Sequence, residues 1–179
     1  MKRWLILTML AASVLLAENL VKNGGFDEGE VRLGELPSGW NVLGEQLVGW
    51  RYINDDGVSG ACCLQAVPDN GRVTPLTQGV ACEPSKDYTL KAAFKVDGCR
   101  PVVAVLTADD KKLASLVADD KEVKVWKEKS VAFKTGADDK KLTVIVAADG
   151  QTGSGSAFAT FTRQNLARDL CSPSPGRDR

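Results

Sequence analysis

Residues 88–96 alternate strictly, with Tyr88, Leu90, Ala92, Phe94 and Val96 on one parity and Thr89, Lys91, Ala93 and Lys95 on the other. In an extended strand successive side chains point to opposite faces, so this run has one dry face and one mostly wet face. Leu142, Val144 and Val146 alternate with Thr143, Ile145 and Ala147, largely apolar on both parities, as suits a strand covered on both sides. Shorter runs of strand character lie at Asn19–Lys22, Leu47–Ile53, Ala61–Val67, Thr74–Cys82, Val102–Thr107, Leu113–Val117, Val123–Lys134 and Ala157–Thr162. Between them stand turn signals such as Asn23-Gly24-Gly25, Pro37-Ser38-Gly39, Asp56-Gly57, Asp97-Gly98 and Asp149-Gly150. Past the first residues no stretch has the length and 3.6-residue period of a helix. Many short strands at this spacing predict an all-β chain folded as an antiparallel sandwich or barrel.

The N-terminus has a different pattern. Lys2 and Arg3 precede an apolar run, Trp4 to Ala17, broken by Thr8 and Ser13. An ordinary membrane-spanning helix needs about 20 apolar residues. This run is shorter and ends in small residues, as a secretory leader does. We therefore expect residues 1–17 to be a cleaved signal peptide and the remainder to be secreted, periplasmic or held in the cell envelope. Without the leader the chain carries 21 basic and 23 acidic residues, a net charge of −2. That balance argues against nucleic acid and against an anionic membrane as partners, since both select for clustered positive charge. Residues 18–162 suffice for one domain. Residues 163–179 contain four Arg and no Lys and close on Cys-Ser-Pro-Ser-Pro-Gly-Arg-Asp-Arg, the composition of a disordered tail.

The five cysteines, Cys62, Cys63, Cys82, Cys99 and Cys171, all follow the leader. Export permits disulfides, although an odd count leaves at least one thiol over. Cys82–Cys99 is the preferred pairing among several open ones. No Cys-x-x-Cys occurs, so neither a redox pair nor a zinc knuckle is indicated. Three echoes of Ala-Asp-Asp-Lys begin at Ala108, Ala118 and Ala137. Paired aspartates suit calcium, but each pair lies between strand candidates and precedes a lysine, which suits a solvated hairpin turn.

Catalysis has little to stand on. The chain has no histidine, which removes the commonest general base and rules out Ser-His-Asp and Cys-His arrangements. No nucleophile elbow, phosphate loop or dinucleotide fingerprint is present. A glycosidase needs only two carboxylates, yet the acids here cluster in turns beside lysines. We read the chain as non-enzymatic.

Asn19-Leu-Val-Lys-Asn-Gly-Gly-Phe-Asp-Glu-Gly29 followed by Pro37-Ser-Gly-Trp40 resembles the opening of the CenC-type carbohydrate-binding modules, families 4 and 9 and their relatives. The likeness continues in order through Gly60–Val67, Leu76–Val80, Pro84–Leu90, Phe94–Asp97 and Trp126–Thr135. The resemblance implies a galactose-binding-like jelly roll, two antiparallel sheets packed face to face, that binds a polysaccharide such as β-glucan or xylan. Relatives are usually appended to glycoside hydrolases. Many of them hold a structural calcium between an N-terminal acid, matched here by Asp27, and an acid in the last strand. That strand reads Ala157-Phe-Ala-Thr-Phe161 and carries no carboxylate, so no cofactor is expected and Asp27 is left as the single candidate metal ligand.

Sugars are held by flat aromatic side chains with polar groups at the rim. Phe26, Trp40, Tyr88, Phe94, Trp126 and Phe133 fall at positions that define the fold in the family and are expected in the core. Trp50 and Tyr52, two apart, share one face of a strand. They form a binding platform if that face is open, and join the core if it meets the opposite sheet. Asn54, at the end of that strand, and Gln65 and Gln78, on neighbouring strands, are the candidate readers of hydroxyls. The competing reading is a cell-envelope structural or protein-interaction sandwich with no sugar groove.

Overall fold

The structure, a computed structural model, describes residues 19–26, 35–53, 63–67, 72–97, 100–118, 125–149, 156–160 and 166–167. The leader, Asp27, Asn54, Cys62, Cys99, Cys171 and the second Asp-Asp echo lie outside them. The described strands are β1 (Asn41–Val42), β2 (Trp50–Ile53), β3 (Cys63–Ala66), β4 (Leu76–Ala81), β5 (Asp87–Asp97), β6 (Arg100–Leu106), β7 (Lys112–Val117), β8 (Lys127–Lys134), β9 (Lys141–Asp149), β10 (Ser156–Thr160) and β11 (Leu166–Ala167). Their pairings are all antiparallel.

They form two sheets, as an all-β sandwich requires. One has five strands in the order β1-β4-β9-β6-β7. In the other, β8 lies along one edge of β5 and β10 and β11 follow one another along its other edge, with β3 and then β2 beyond β10. The period-two pattern decides what each strand buries. Leu76 and Val80 of β4, Val103 and Val105 of β6 and Leu142, Val144 and Val146 of β9 meet Leu64, Ala66, Tyr88, Leu90, Ala92, Phe94 and Val96 from the second sheet. Each large side chain removed from water there contributes about 1.5–3 kcal/mol. Tyr88 stacks on Phe133 across β5 and β8, ring centroids 5.8 Å apart, and its hydroxyl accepts the Glu83 N–H at 2.9 Å.

Asn19–Lys22, expected as a strand, is instead part of a turn. The Asn19 side chain accepts the Val21 N–H at 3.1 Å, a local bond that competes with sheet pairing. Asn23 and Phe26 then take positive φ, 47° and 56°, and the Phe26 N–H closes on the Asn23 carbonyl at 3.1 Å. Phe26 lands 5.4 Å, centroid to centroid, from Trp40, whose indole N–H donates to the same Asn23 carbonyl. The separated motifs of the resemblance thus form one knot against the core.

Of the expected Cys82–Cys99 pair only Cys82 falls among the described residues. Cys82 is a free thiol whose Sγ–H points at the Asp139 carbonyl, 3.4 Å away. The sandwich also runs past Thr162. Leu166–Ala167, in the segment expected to be disordered, pairs with Leu90 and Thr89 of β5.

Candidate functional site

The flanks of the sandwich differ, and one of them fixes Trp50. Chain 46–49 crosses from the five-stranded sheet to β2 and is stitched to both. The Thr74 N–H donates to the Val48 carbonyl at 3.0 Å, and the Val67 N–H to the Gly49 carbonyl at 2.7 Å. Gly49 has φ +78°, and a Cβ there would stand 2.7 Å from the Arg72 carbonyl oxygen, so glycine is required. Trp50 follows directly. Opposite Ala66 in register, it turns its ring inward, 8% exposed, and its indole N–H donates to the Thr74 carbonyl at 2.6 Å. Tyr52, opposite Leu64, is half-buried against the same core, with its hydroxyl oxygen sealed from solvent. Among the described residues the shared face of Trp50 and Tyr52 therefore turns toward the opposite sheet.

Gln78 also has a role the sequence did not suggest. It takes an inward position on β4 between Leu76 and Val80 and is 4% exposed. Its Oε1 accepts the Lys22 N–H at 2.7 Å, while Nε2 donates to the carbonyls of Lys22 and Gly39, both at 2.9 Å. Both amide protons are used within the fold, which ties the N-terminal knot to β4. Gln65, half-buried, lies on the outer face of the second sheet, opposite Arg51 and Phe158 in register. The candidate residues are thus divided between core and outer surface, and the structure does not bring them together.

The two outer faces contrast in charge. On the second sheet the outward positions include Arg51, Lys91, Lys95, Glu128 and Lys134, with Lys91 and Glu128 4.0 Å apart. On the five-stranded sheet the outward positions of adjacent strands align as Asn41, Thr77, Ile145, Ala104 and Ser115. A flanking row holds Ala147, Val102 and Val117, and another Gly79, Thr143 and Leu106. None of these side chains is ionised. Charge stands at the border, where Leu106 meets Lys112, Ala81 meets Lys141 and Arg100 meets Asp149. The Lys141 stem reaches in over Gly79, with its Cε 2.9 Å from where a Cβ would sit. Most of these side chains are half-buried, and Asn41, Gly79 and Val117 are the exposed positions among them. Sequence reasoning passed over this face, although β9 announced it by being apolar on both parities.

At one end of the sandwich an open groove of about 740 Å³ separates the β6–β7 turn from the β8–β9 loop. Two of the Ala-Asp-Asp-Lys echoes line it, and both lie in turns. The Thr107 hydroxyl donates to Asp109 at 2.5 Å and holds that carboxyl below its usual range. Asp139 accepts the Gly136 N–H at 2.6 Å, and the burial of Cys82, with the Asp139 charge beside it, raises that thiol. Two carboxylates thus close their own turns. Among the described residues no cluster of three or more His, Cys, Asp or Glu is arranged to hold a metal. Asp27 lies outside them.

No protein-family model matches the sequence, and no curated protein matches it. Solved structures do resemble the fold. TmCBM61, solved in complex with β-1,4-galactotriose, is 19% identical with a TM-score of 0.62, covering 86% of this chain and 100% of its own. A CBM4 structure is 17% identical with a TM-score of 0.57, covering 83% and 99%. The CBM22-1 xylan-binding domain of Paenibacillus barcinonensis Xyn10C is 11% identical with a TM-score of 0.51, covering 82% and 93%. The chain has a two-sheet antiparallel jelly-roll fold like that of these solved modules, the fold that the resemblance implied.

Proposed function

We propose that the protein is an exported, non-catalytic carbohydrate-binding domain that takes a polysaccharide on the outer face of its five-stranded sheet. The observation that carries the reading is the coincidence of this fold, matched over nearly the whole of several sugar-binding modules, with one sheet face kept free of charge across five strands. The C–H faces of sugar rings suit the methyl groups of Thr77, Ala104, Thr143 and Ile145. Hydroxyls of the ligand suit Asn41, Thr77, Ser115, Thr143 and the border ammonium of Lys141. A ligand without charge loses little solvation on such a surface. Export is supported by Lys2-Arg3 and the apolar run to Ala17, and absence of catalysis by the missing histidine.

A second reading, a protein-interaction sandwich, is favoured by one observation. None of the outward residues aligned on the five-stranded sheet is aromatic, so the flat stacking surface common in sugar sites is missing. Affinity electrophoresis through gels containing barley β-glucan, xylan or β-1,4-galactan separates the two readings. Ile145→Lys puts an ammonium in the middle of the face without entering the core, and Gln65→Ala alters the other sheet. Retardation by a polysaccharide that Ile145→Lys abolishes and Gln65→Ala leaves intact is the expected result. Retardation lost in Gln65→Ala alone moves the site to the second sheet. No retardation in any gel rejects the carbohydrate reading.

A further inference from the structure

A glycine inside a regular strand weakens it, and in native sheets it often marks a place where another group approaches the backbone closely. Gly79 is such a residue. It sits within β4, opposite Thr143 in an unbroken register, and is exposed on the outer face of the five-stranded sheet. The group that approaches it is Lys141, the outward residue of β9 opposite Ala81. Instead of standing off into solvent, the lysine stem lies along the sheet, with Cε 2.9 Å and Nζ 3.5 Å from where a Cβ on residue 79 would be. A side chain there would lift the stem away. Gly79, Ala81 and Lys141 are all exposed, so this corner of the face is open.

The ammonium held there has no anion of its own. Among the described residues no carboxylate stands within ion-pair distance of Lys141, nor of Lys112 on the same border. Two carboxylates in the turns at this end of the sandwich are used elsewhere: Asp109 accepts the Thr107 hydroxyl at 2.5 Å, and Asp139 the Gly136 N–H at 2.6 Å. At the opposite border, by contrast, Arg100 faces Asp149 in register. The face is therefore uncharged across its rows and positive along one border. The ammonium lies over the row of Gly79, Thr143 and Leu106, two residues along each strand from the central row, roughly 7 Å. We infer that Gly79 and Lys141 form a carboxylate-reading subsite, so that the ligand of this face is a mostly neutral polysaccharide bearing uronic acid units. The neutral chain lies on the uncharged rows, and a carboxylate beside it accepts a charge-assisted hydrogen bond from the Lys141 ammonium above Gly79. Lys141 determines the specificity and Gly79 positions it. This rests on the reading of the outer face as a polysaccharide site and adds which polysaccharides that site selects.

Affinity electrophoresis of the full chain through matched gels tests it. β-Glucan and β-1,4-galactan are each used neutral and with part of their C6 hydroxyls oxidised to carboxylate, and xylan is used with its uronic acids intact and carboxyl-reduced. A carboxylated form is expected to bind about fivefold tighter than its neutral partner, near the upper end for an exposed ion pair. Lys141→Met keeps the stem and loses the charge, and the advantage is expected to vanish while the neutral gel still retards the protein. Gly79→Val suits a strand but displaces the stem, and is expected to cut the advantage with the lysine still present. Lys134→Met, on the second sheet, is expected to keep it, which separates the subsite from a general attraction of lysines to an anionic gel. Lys134 and Lys141 are exposed, so neither substitution disturbs the core; if Gly79→Val does not fold, Lys141→Met decides. Equal retardation by neutral and carboxylated forms overturns the inference and leaves the carbohydrate reading standing. An advantage that survives Lys141→Met, or that Lys134→Met also removes, overturns it as well. Retardation in no gel rejects the reading and the inference together.

Discussion

Replacing Gln78 by leucine tests whether that amide is a structural tie or a ligand reader. The substitution keeps roughly the same volume at an inward position between Leu76 and Val80, so packing changes little. What is lost is three hydrogen bonds, which join β4 to the backbone of Lys22 and Gly39. A neutral hydrogen bond contributes about 1 kcal/mol net, and a buried partner left unsatisfied costs about 1–3 kcal/mol. The added leucine surface gains about 1 kcal/mol. The expected loss is therefore about 2–3 kcal/mol. For a domain of this size each kcal/mol moves Tm by roughly 2–4 °C, so Tm should fall by about 4–12 °C. Thermal and urea unfolding would measure it, with the urea slope unchanged because the same surface is exposed. A loss below about 0.5 kcal/mol would refute the tie. If stability were unchanged while retardation by a polysaccharide vanished, Gln78 would be a reader after all.

Two further outcomes are expected. Gly49→Ala forces a Cβ into the left-handed region and onto the Arg72 carbonyl, at a cost of about 2 kcal/mol or more; urea unfolding showing less than about 1 kcal/mol would mean the crossing relaxes freely. Asp109 titrates below the ordinary carboxylate value, first because Thr107 donates to it, and Thr107→Val should raise it when followed by NMR. The sign follows from linkage: a depressed acid stabilises the fold above its unfolded value, and that stabilisation is lost as pH falls through the folded value. An unmoved Asp109 titration in the valine variant would refute the assignment.

The strands were legible because period two is local. β5, β6, β7 and β9 sit where the alternation puts them, and Phe26, Trp40, Tyr88, Phe94 and Phe133 are buried as their motif positions imply, whereas Trp126, expected with them in the core, is only half-buried just before β8. What the sequence could not decide is which of two faces a strand presents. Trp50 and Tyr52 share a face by parity alone, but that face is inner because β3 turns Leu64 and Ala66 the same way, a pairing between residues far apart in the chain. Gln78 was misread for a related reason. A polar residue on an apolar parity looks like a reader until its partners, Lys22 and Gly39, are known.

The distribution of aromatic rings constrains any ligand of the outer sheet face. Phe26, Trp40, Trp50, Tyr88, Phe94 and Phe133 are all buried, the first two in the N-terminal knot. An aromatic ring supplies 150–250 Å² of contact in one rigid piece, whereas Thr77, Ala104, Ser115 and Ile145 each offer a few methyl or hydroxyl contacts. Binding there must accumulate from many small contributions along the row that crosses all five strands, a distance of about 19 Å at the usual strand spacing. Short ligands would cover too few of those positions to offset the freedom lost on association. A surface of this kind therefore favours an extended chain that lies across the strands over any single sugar ring, and affinity should rise with ligand length until the five strands are spanned and not beyond.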